Sequence, residues 1–170
     1  MTTTIVQLSD THIREPGRLA YGVVDTAAFL QQAVSSVLAL RQQPDAVVVT
    51  GDLVDFGRAA EYARLRQLLA PLTMPLYLMP GNHDDRATLR AAFPDHAYLK
   101  ADDPAAFIQY AVTVGELRLV TLDTVVPLQP AAQVLDLVLA AVADARRRGA
   151  VGAVQLLEVA ELAAHARVLG

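Results

Sequence analysis

The sequence predicts a layered α/β domain, and three observations carry that prediction. Short apolar runs at Thr4 to Leu8, Ala46 to Val49 and Leu76 to Met79 have the length of strands. Between them lie longer stretches whose apolar residues recur at helical spacing. Each run also ends in side chains suited to a hard metal ion: Leu8-Ser9-Asp10-Thr11-His12, Thr50-Gly51-Asp52-Leu53-Val54-Asp55 and Pro80-Gly81-Asn82-His83-Asp84. In α/β sheets ligands gather beyond the carboxyl ends of strands, so the three clusters should meet in one place.

Taken in order, the first strand is followed by a helix from about Val24 to Arg41, with Phe29, Leu30, Ala33, Val34, Val37 and Leu38 on its apolar stripe. Pro44-Asp45 leads into the second strand. A second helix from about Ala59 to Leu69 should bury Tyr62, Leu65 and Leu69, and Pro71 and Pro75 mark the loop before the third strand. Pro94 and Pro104 fall in a long irregular segment. A hairpin is expected next, Phe107 to Val114, a Gly115-Glu116 turn, then Leu117 to Leu122. From Ala131 the text changes to Ala, Val, Leu and Arg. Val134, Leu135, Val138, Leu139 and Val142 sit at helical spacing, and Arg146-Arg147-Arg148 before Gly149 reads as a helix end. A further helix is expected from about Leu156 to Val168. No internal repeat or interdomain linker is evident.

Composition narrows the class. A chain of 170 residues, 54% of them hydrophobic, with mean hydropathy +0.33, is expected to fold as one domain and not as a disordered segment. A net charge of −4 supplies no field for nucleic acid, and the arginine triplet suits a helix terminus better than a DNA patch. With no cysteine there are no disulfides and no thiolate ligands. The chain enters its first strand without the basic and apolar regions of a signal peptide, and Asp136 and Asp144 interrupt the apolar tail. The expectation is a cytoplasmic protein with no membrane partner.

The chemistry of the clusters fits a two-metal hydrolytic centre. Asp10 and His12 are two residues apart, so a strand continuing to its end would project both from one face. Asp52 has two oxygens with which to bridge two ions. Asn82 offers a carbonyl oxygen, and His83 an imidazole able to ligate or to move a proton. Two ions roughly 3.5–4 Å apart activate water and stabilise both oxygens of a phosphoryl displacement. Taken singly, Asp10, Asp52 and Asp84 also suit helix N-caps, Gly51 and Gly81 suit turns, and either histidine suits an ordinary polar position. The three together favour the metal reading.

These motifs resemble those of the calcineurin-like metallophosphoesterases, whose signature runs Asp-x-His, Gly-Asp, Gly-Asn-His-Asp or Glu. The flanking text LSDTHI, VVVTGDLVDFG and PLYLMPGNHDD is most similar to the class III cyclic nucleotide phosphodiesterase branch, which includes glycerophosphodiesterases. The resemblance covers about Thr3 to Pro127. It implies a metallophosphoesterase-type β-sandwich flanked by helices, formed by residues 1–127, with 128–170 as a divergent helical tail. It further implies that Asp10, His12 and Asp52 hold a first metal, that Asp52 bridges, and that Asn82 binds a second. His83 would act as general acid near the leaving group, with Asp84 orienting it. Manganese, iron, cobalt or zinc would suit such oxygen and nitrogen donors. Phosphoprotein phosphatases of the family carry arginine where this chain has Phe56, which points instead to a small diester, a cyclic nucleotide or a glycerophosphodiester. Asp55, Arg58 and Tyr21 either line that pocket or are exposed loop residues.

The sequence departs from the family after the hairpin. Family enzymes add histidines from a later strand and a terminal Gly-His-x-His motif, whereas only His96 and His165 follow His83 here. The first metal keeps three protein ligands; the second keeps Asp52 and Asn82 and is expected to bind weakly. The tail is then either a short variant closing the core with helices or the product of a shifted reading frame or truncated gene, and the second is favoured. The alternative to an active phosphodiesterase is a catalytically impaired remnant that binds metal or phosphate or serves as an interaction module. Apolar surface left uncovered would promote self-association.

Overall fold

The computed structural model describes residues 3–123 and 125. The tail helices expected from Ala131 and from Leu156 lie outside the described residues. Within them the chain alternates strand and helix: β1 (Ile5–Ser9), α1 (Thr26–Leu38), β2 (Ala46–Thr50), α2 (Ala59–Leu69), β3 (Leu76–Leu78) and α3 (Arg86–Ala92). A 3-10 turn (Ala97–Leu99) and the hairpin β4 (Tyr110–Val114) and β5 (Leu117–Thr121) follow.

The first three strands form one parallel sheet in the order β1-β2-β3. All five residues of β2 are buried, as its unbroken Ala-Val-Val-Val-Thr text requires of a central strand covered on both faces. The register aligns Leu8 with Val49 and Val49 with Leu78, so the three strand ends stand abreast. Helix α1 starts two residues later than its periodicity suggests, because the Asp25 carboxylate accepts the Ala28 N–H at 3.0 Å and caps it there. Leu30, Val34 and Val37 face the core, whereas Phe29, expected on the stripe, is exposed. Helix α2 has the expected bounds and buries Tyr62, Leu65, Leu68 and Leu69 against Val47, Val49 and Leu78.

Helix α3 was not expected. It is seven residues long, starts at an Asp85 cap that accepts the Thr88 N–H at 2.8 Å, and fully buries only Leu89, too short a stripe to register as periodic. It stops at Phe93, before Pro94, where the residue preceding a proline leaves the helical region.

Side chains close the outer edge of β3. The Tyr98 hydroxyl accepts the Leu78 N–H at 3.1 Å and donates to the Leu76 carbonyl at 3.0 Å; the Tyr110 hydroxyl donates to the Leu78 carbonyl at 2.8 Å. The hairpin thereby joins this edge through Tyr110, not as a fourth strand of the parallel sheet. A buried ion pair reinforces the joint: Arg86 grips Asp123 through Nε at 2.7 Å and Nη2 at 3.0 Å, and Asp123 also accepts the Ile108 N–H at 2.8 Å. Arg86 also donates to the Val125 carbonyl and stacks on Phe107. Among the described residues no helix is long and apolar enough to cross a membrane.

Candidate active site

The aligned strand ends deliver the three clusters to one place. Beyond β1 the chain does not remain a strand: Asp10 and His12 adopt φ of 53° and 39°, a left-handed conformation uncommon outside glycine that Asp and His tolerate better than most residues. The expected same-face projection from an extended strand is therefore corrected. The two side chains converge because the backbone coils, held by Asp10 N–H to the Thr50 carbonyl at 3.0 Å and His12 N–H to the Asp52 carbonyl at 2.9 Å. Such conformations persist where surrounding structure fixes them, and they concentrate at functional sites.

Asp10, His12 and Asp52 each present a ligand atom, and these atoms lie within 4.8 Å of one another. Asp52 is fixed by its Oδ1, which accepts the His83 N–H at 2.9 Å. Its Oδ2 faces two imidazoles, 3.7 Å from His12 Nε2 and 3.9 Å from His83 Nε2. The rings of His12 and His83 meet edge to face with centroids 5.0 Å apart. Asn82 stands exposed in the turn beside His83 and makes no side-chain hydrogen bond among the described residues.

The glycines of the motifs shape this cradle. A Cβ on Gly81 would stand 2.3 Å from Asp52 Oδ1, and one on Gly51, where φ is 72°, would stand 2.6 Å from Asp10 Oδ1. Both carboxylates occupy space that any other residue would fill. A cluster of carboxylates and imidazoles with such close approach fits a divalent cation by donor type and spacing.

His83 finds a different partner from the one expected. Its Nδ1 lies 2.8 Å from the Asp55 carbonyl, which can only accept, so Nδ1 carries the proton and Nε2 faces Asp52. Asp84, expected to orient this ring, spans the two loops instead. Its Oδ2 accepts the N–H groups of Leu53 at 2.9 Å and Gly81 at 2.8 Å, and its Oδ1 accepts the Tyr62 hydroxyl at 2.6 Å. The physical reason is direction: Asp84 turns inward to N–H groups that have no other partner among the described residues. Burial pushes its carboxyl up to about 7, against the pull of these hydrogen bonds and with a smaller contribution from Asp52. Burial, then Asp84, raises the Tyr62 hydroxyl well above its ordinary range.

Asp55 is buried, at 5% exposure, with Oδ1 3.5 Å from His12 Nδ1 and Oδ2 2.6 Å from Arg14 Nη1. Behind it Arg14 reaches toward Glu61, which is wholly buried. Neither Arg14 nor Glu61 is singled out by the sequence, since an arginine two places after a histidine and a glutamate in the first turn of a helix are commonplace. Arg58 and Tyr21 are exposed. His96 lies on the outer edge of β3, its Nδ1 2.7 Å from the Tyr98 hydroxyl and its ring on Phe93. Burial lowers its basicity. His165 lies outside the described residues.

A metal-suited cluster at the carboxyl ends of a parallel sheet, built by these motifs in this order, defines a class. The chain belongs to the calcineurin-like phosphoesterase family, whose model matches residues 3–134, and its mixed α/β architecture is consistent with the metallophosphoesterase fold. Among curated proteins it is 39% identical over 120 residues to the glycerophosphodiester phosphodiesterase GpdQ of Enterobacter lignolyticus (strain SCF1). It is 37% identical over 127 residues to a cAMP/cGMP dual specificity phosphodiesterase of Mycobacterium tuberculosis, and 36% identical over 126 residues to the 3',5'-cyclic adenosine monophosphate phosphodiesterase CpdA of Pseudomonas aeruginosa. These alignments cover 71–72% of this chain but only 38–43% of the relatives, so the chain spans about two fifths of their length. The family is hydrolytic, and the relatives are named as phosphodiesterases.

Proposed function

We propose that the chain provides a metal-dependent site for hydrolysing a small phosphodiester, of the cyclic nucleotide or glycerophosphodiester kind. The observation that carries this reading is the convergence of Asp10, His12 and Asp52, with ligand atoms within 4.8 Å, beside the Nε2 of His83. Asp10, His12 and Asp52 would hold one divalent ion, and Asp52 with Asn82 a second. Bound there, such ions lower the pKa of water and polarise the phosphoryl group. His83 keeps its Nδ1 proton on the Asp55 carbonyl, so proton exchange is left to Nε2. In its protonated form this nitrogen donates to the departing oxygen; in its neutral form it accepts. Phe56, at the position of the phosphatase arginine, supports a diester over a phosphoprotein.

One observation favours a second reading, a chain that binds metal but turns over slowly. Among the described residues the second ion has only Asp52 and Asn82 as expected donors, and Asn82 is exposed. Hydrolysis of bis(p-nitrophenyl) phosphate by the 170-residue chain under Mn²⁺ titration separates the two. The first reading expects metal-dependent turnover that disappears in Asp52→Asn and falls about 10²–10⁴-fold in His83→Ala. Folded protein that binds Mn²⁺ without turnover establishes the second.

A further inference from the structure

We infer that Arg14, braced by the buried Glu61, is a positioning residue. It turns the Asp55 carboxylate toward the outer nitrogen of His12 and keeps Asp55 out of the metal's own ligand set. The inference rests on the reading of Asp10, His12 and Asp52 as metal ligands.

The need for such a residue follows from crowding. Two carboxylates address opposite sides of one imidazole: Asp52 Oδ2 lies 3.7 Å from His12 Nε2, and Asp55 Oδ1 lies 3.5 Å from His12 Nδ1. Asp55, His12 and His83 also place one ligand atom each within 4.8 Å of one another, a rival donor group to Asp10, His12 and Asp52. A neutral imidazole has one nitrogen free to ligate, so the two groups compete for His12. The side on which its proton sits decides which group wins.

Arg14 settles the contest by occupying Asp55. Its Nη1 lies 2.6 Å from Asp55 Oδ2, a charge-assisted bond that leaves Oδ1 facing the imidazoles, 3.5 Å from His12 Nδ1 and 3.7 Å from His83 Nδ1. The guanidinium is itself confined. It stacks over Phe56 at 4.4 Å, and its Nε lies 3.5 Å from Glu61 Oε1. Glu61 cannot swing away, because its Oε2 accepts the N–H groups of Phe56 at 3.0 Å and Arg58 at 3.1 Å at the start of α2. Arg14 Nε and Glu61 Oε1 are otherwise without hydrogen bonds, a buried donor facing a buried acceptor. A helix terminus is thereby brought through Glu61, Arg14 and Asp55 to within 3.5 Å of the Nδ1 of His12, a contact that a proton on Nδ1 closes into a hydrogen bond, with Nε2 left bare toward Asp52. Groups behind a ligating histidine fix its tautomer and strengthen it as a ligand. His83 needs no such help, since the Asp55 carbonyl already holds its Nδ1 proton at 2.8 Å.

This asymmetry gives the test. Long-range ¹H–¹⁵N correlation spectra of the metal-free, full-length chain report which nitrogen of each imidazole is protonated. The wild type is expected to show the Nδ1–H form for both His12 and His83. In Arg14→Gln, His12 should become a mixture of tautomers while His83 is unchanged, and Mn²⁺ affinity measured by calorimetry should fall about 10–100-fold. Arg14→Lys, which keeps the charge but not the fork, should lie between. Because Arg14→Gln strands the buried carboxylates of Asp55 and Glu61, the double variant Arg14→Gln/Glu61→Gln, which relieves the wholly buried one, serves as the second case and should show the same His12 shift. A folded variant in which His12 keeps its Nδ1 proton and its Mn²⁺ affinity would overturn the inference, as would equal disturbance of both histidines. Failure of the wild type to bind Mn²⁺ would instead remove the ligand assignment, while the tautomer comparison would still decide the role of Arg14.

Discussion

His12 shows how much of the site is decided by single residues. It meets Asp52 through one nitrogen and Asp55 through the other, and it does so from a left-handed backbone conformation that Asp10 shares. The residue types were legible in the sequence, and so was their meeting at the strand ends. How they meet was not, because spacing of two suggests an extended strand, whereas the chain coils as soon as β1 ends at Ser9. Asp55 was legible as a motif residue but not as a buried one, since burial depends on Arg14 and Glu61 arriving from other elements. Gly81 offers the residue-scale test. A methyl group there meets Asp52 Oδ1 at 2.3 Å and Asp52 N at 2.5 Å, and the second contact is backbone that cannot rotate away. Gly81→Ala is expected to cost about 1–3 kcal/mol of stability by chemical denaturation and to weaken Mn²⁺ binding, because it displaces the proposed bridging carboxylate.

Among the helices, strong periodicity marks an element in the sequence and local capping does not. Helix α2 was legible to its ends because Tyr62, Leu65 and Leu69 mark one face and Pro71 follows. The ends of α1 were not, because its apolar spacing continues past its true limits and only the Asp25 cap sets the start. Helix α3 was missed because its stability comes from outside it: an Asp85 cap, a single buried leucine, and Arg86 clasping Asp123 of the segment after β5. That clasp ties α3 to the segment leaving the hairpin, while Arg90 ties it to the segment entering, through the Leu99 and Ala106 carbonyls. The carboxylate of Asp123 is wholly buried. Arg86→Ala should therefore strand a buried charge and lower the unfolding free energy by about 3–5 kcal/mol, measurable by urea denaturation. A loss under 1 kcal/mol would show that the hairpin is held by Tyr110 and its packing instead.

For the whole molecule, the prediction concerns coupling between metal and fold. The candidate ligands come from loops after β1, β2 and β3, elements separated by long stretches of chain, so they can converge only in the folded state. An ion bound there must stabilise that state. At Mn²⁺ a hundredfold above its dissociation constant the gain is about 2.7 kcal/mol, visible as a raised midpoint in thermal denaturation. The rise should vanish in Asp52→Asn and return to baseline on chelation. Equal stabilisation of wild type and Asp52→Asn would place the binding elsewhere. The α/β class and the position of the site follow from the order of apolar runs and motifs. The separate hairpin sheet was less legible, since nothing in Phe107 to Leu122 records what it will pair with.

The tyrosine hydroxyls on β3 have a consequence for how this sheet can extend. Tyr98 and Tyr110 occupy the backbone groups that an incoming strand would use, so that side is sealed by side chains. Among the described residues β1 pairs only with β2, and its other row of amide and carbonyl groups faces no strand. Growth of the described sheet is thus one-directional: a further strand, from this chain or another, would have to dock beside β1. During refolding at high concentration that same row is the template on which copies would stack, and a lysine or proline introduced along it would act as a gatekeeper.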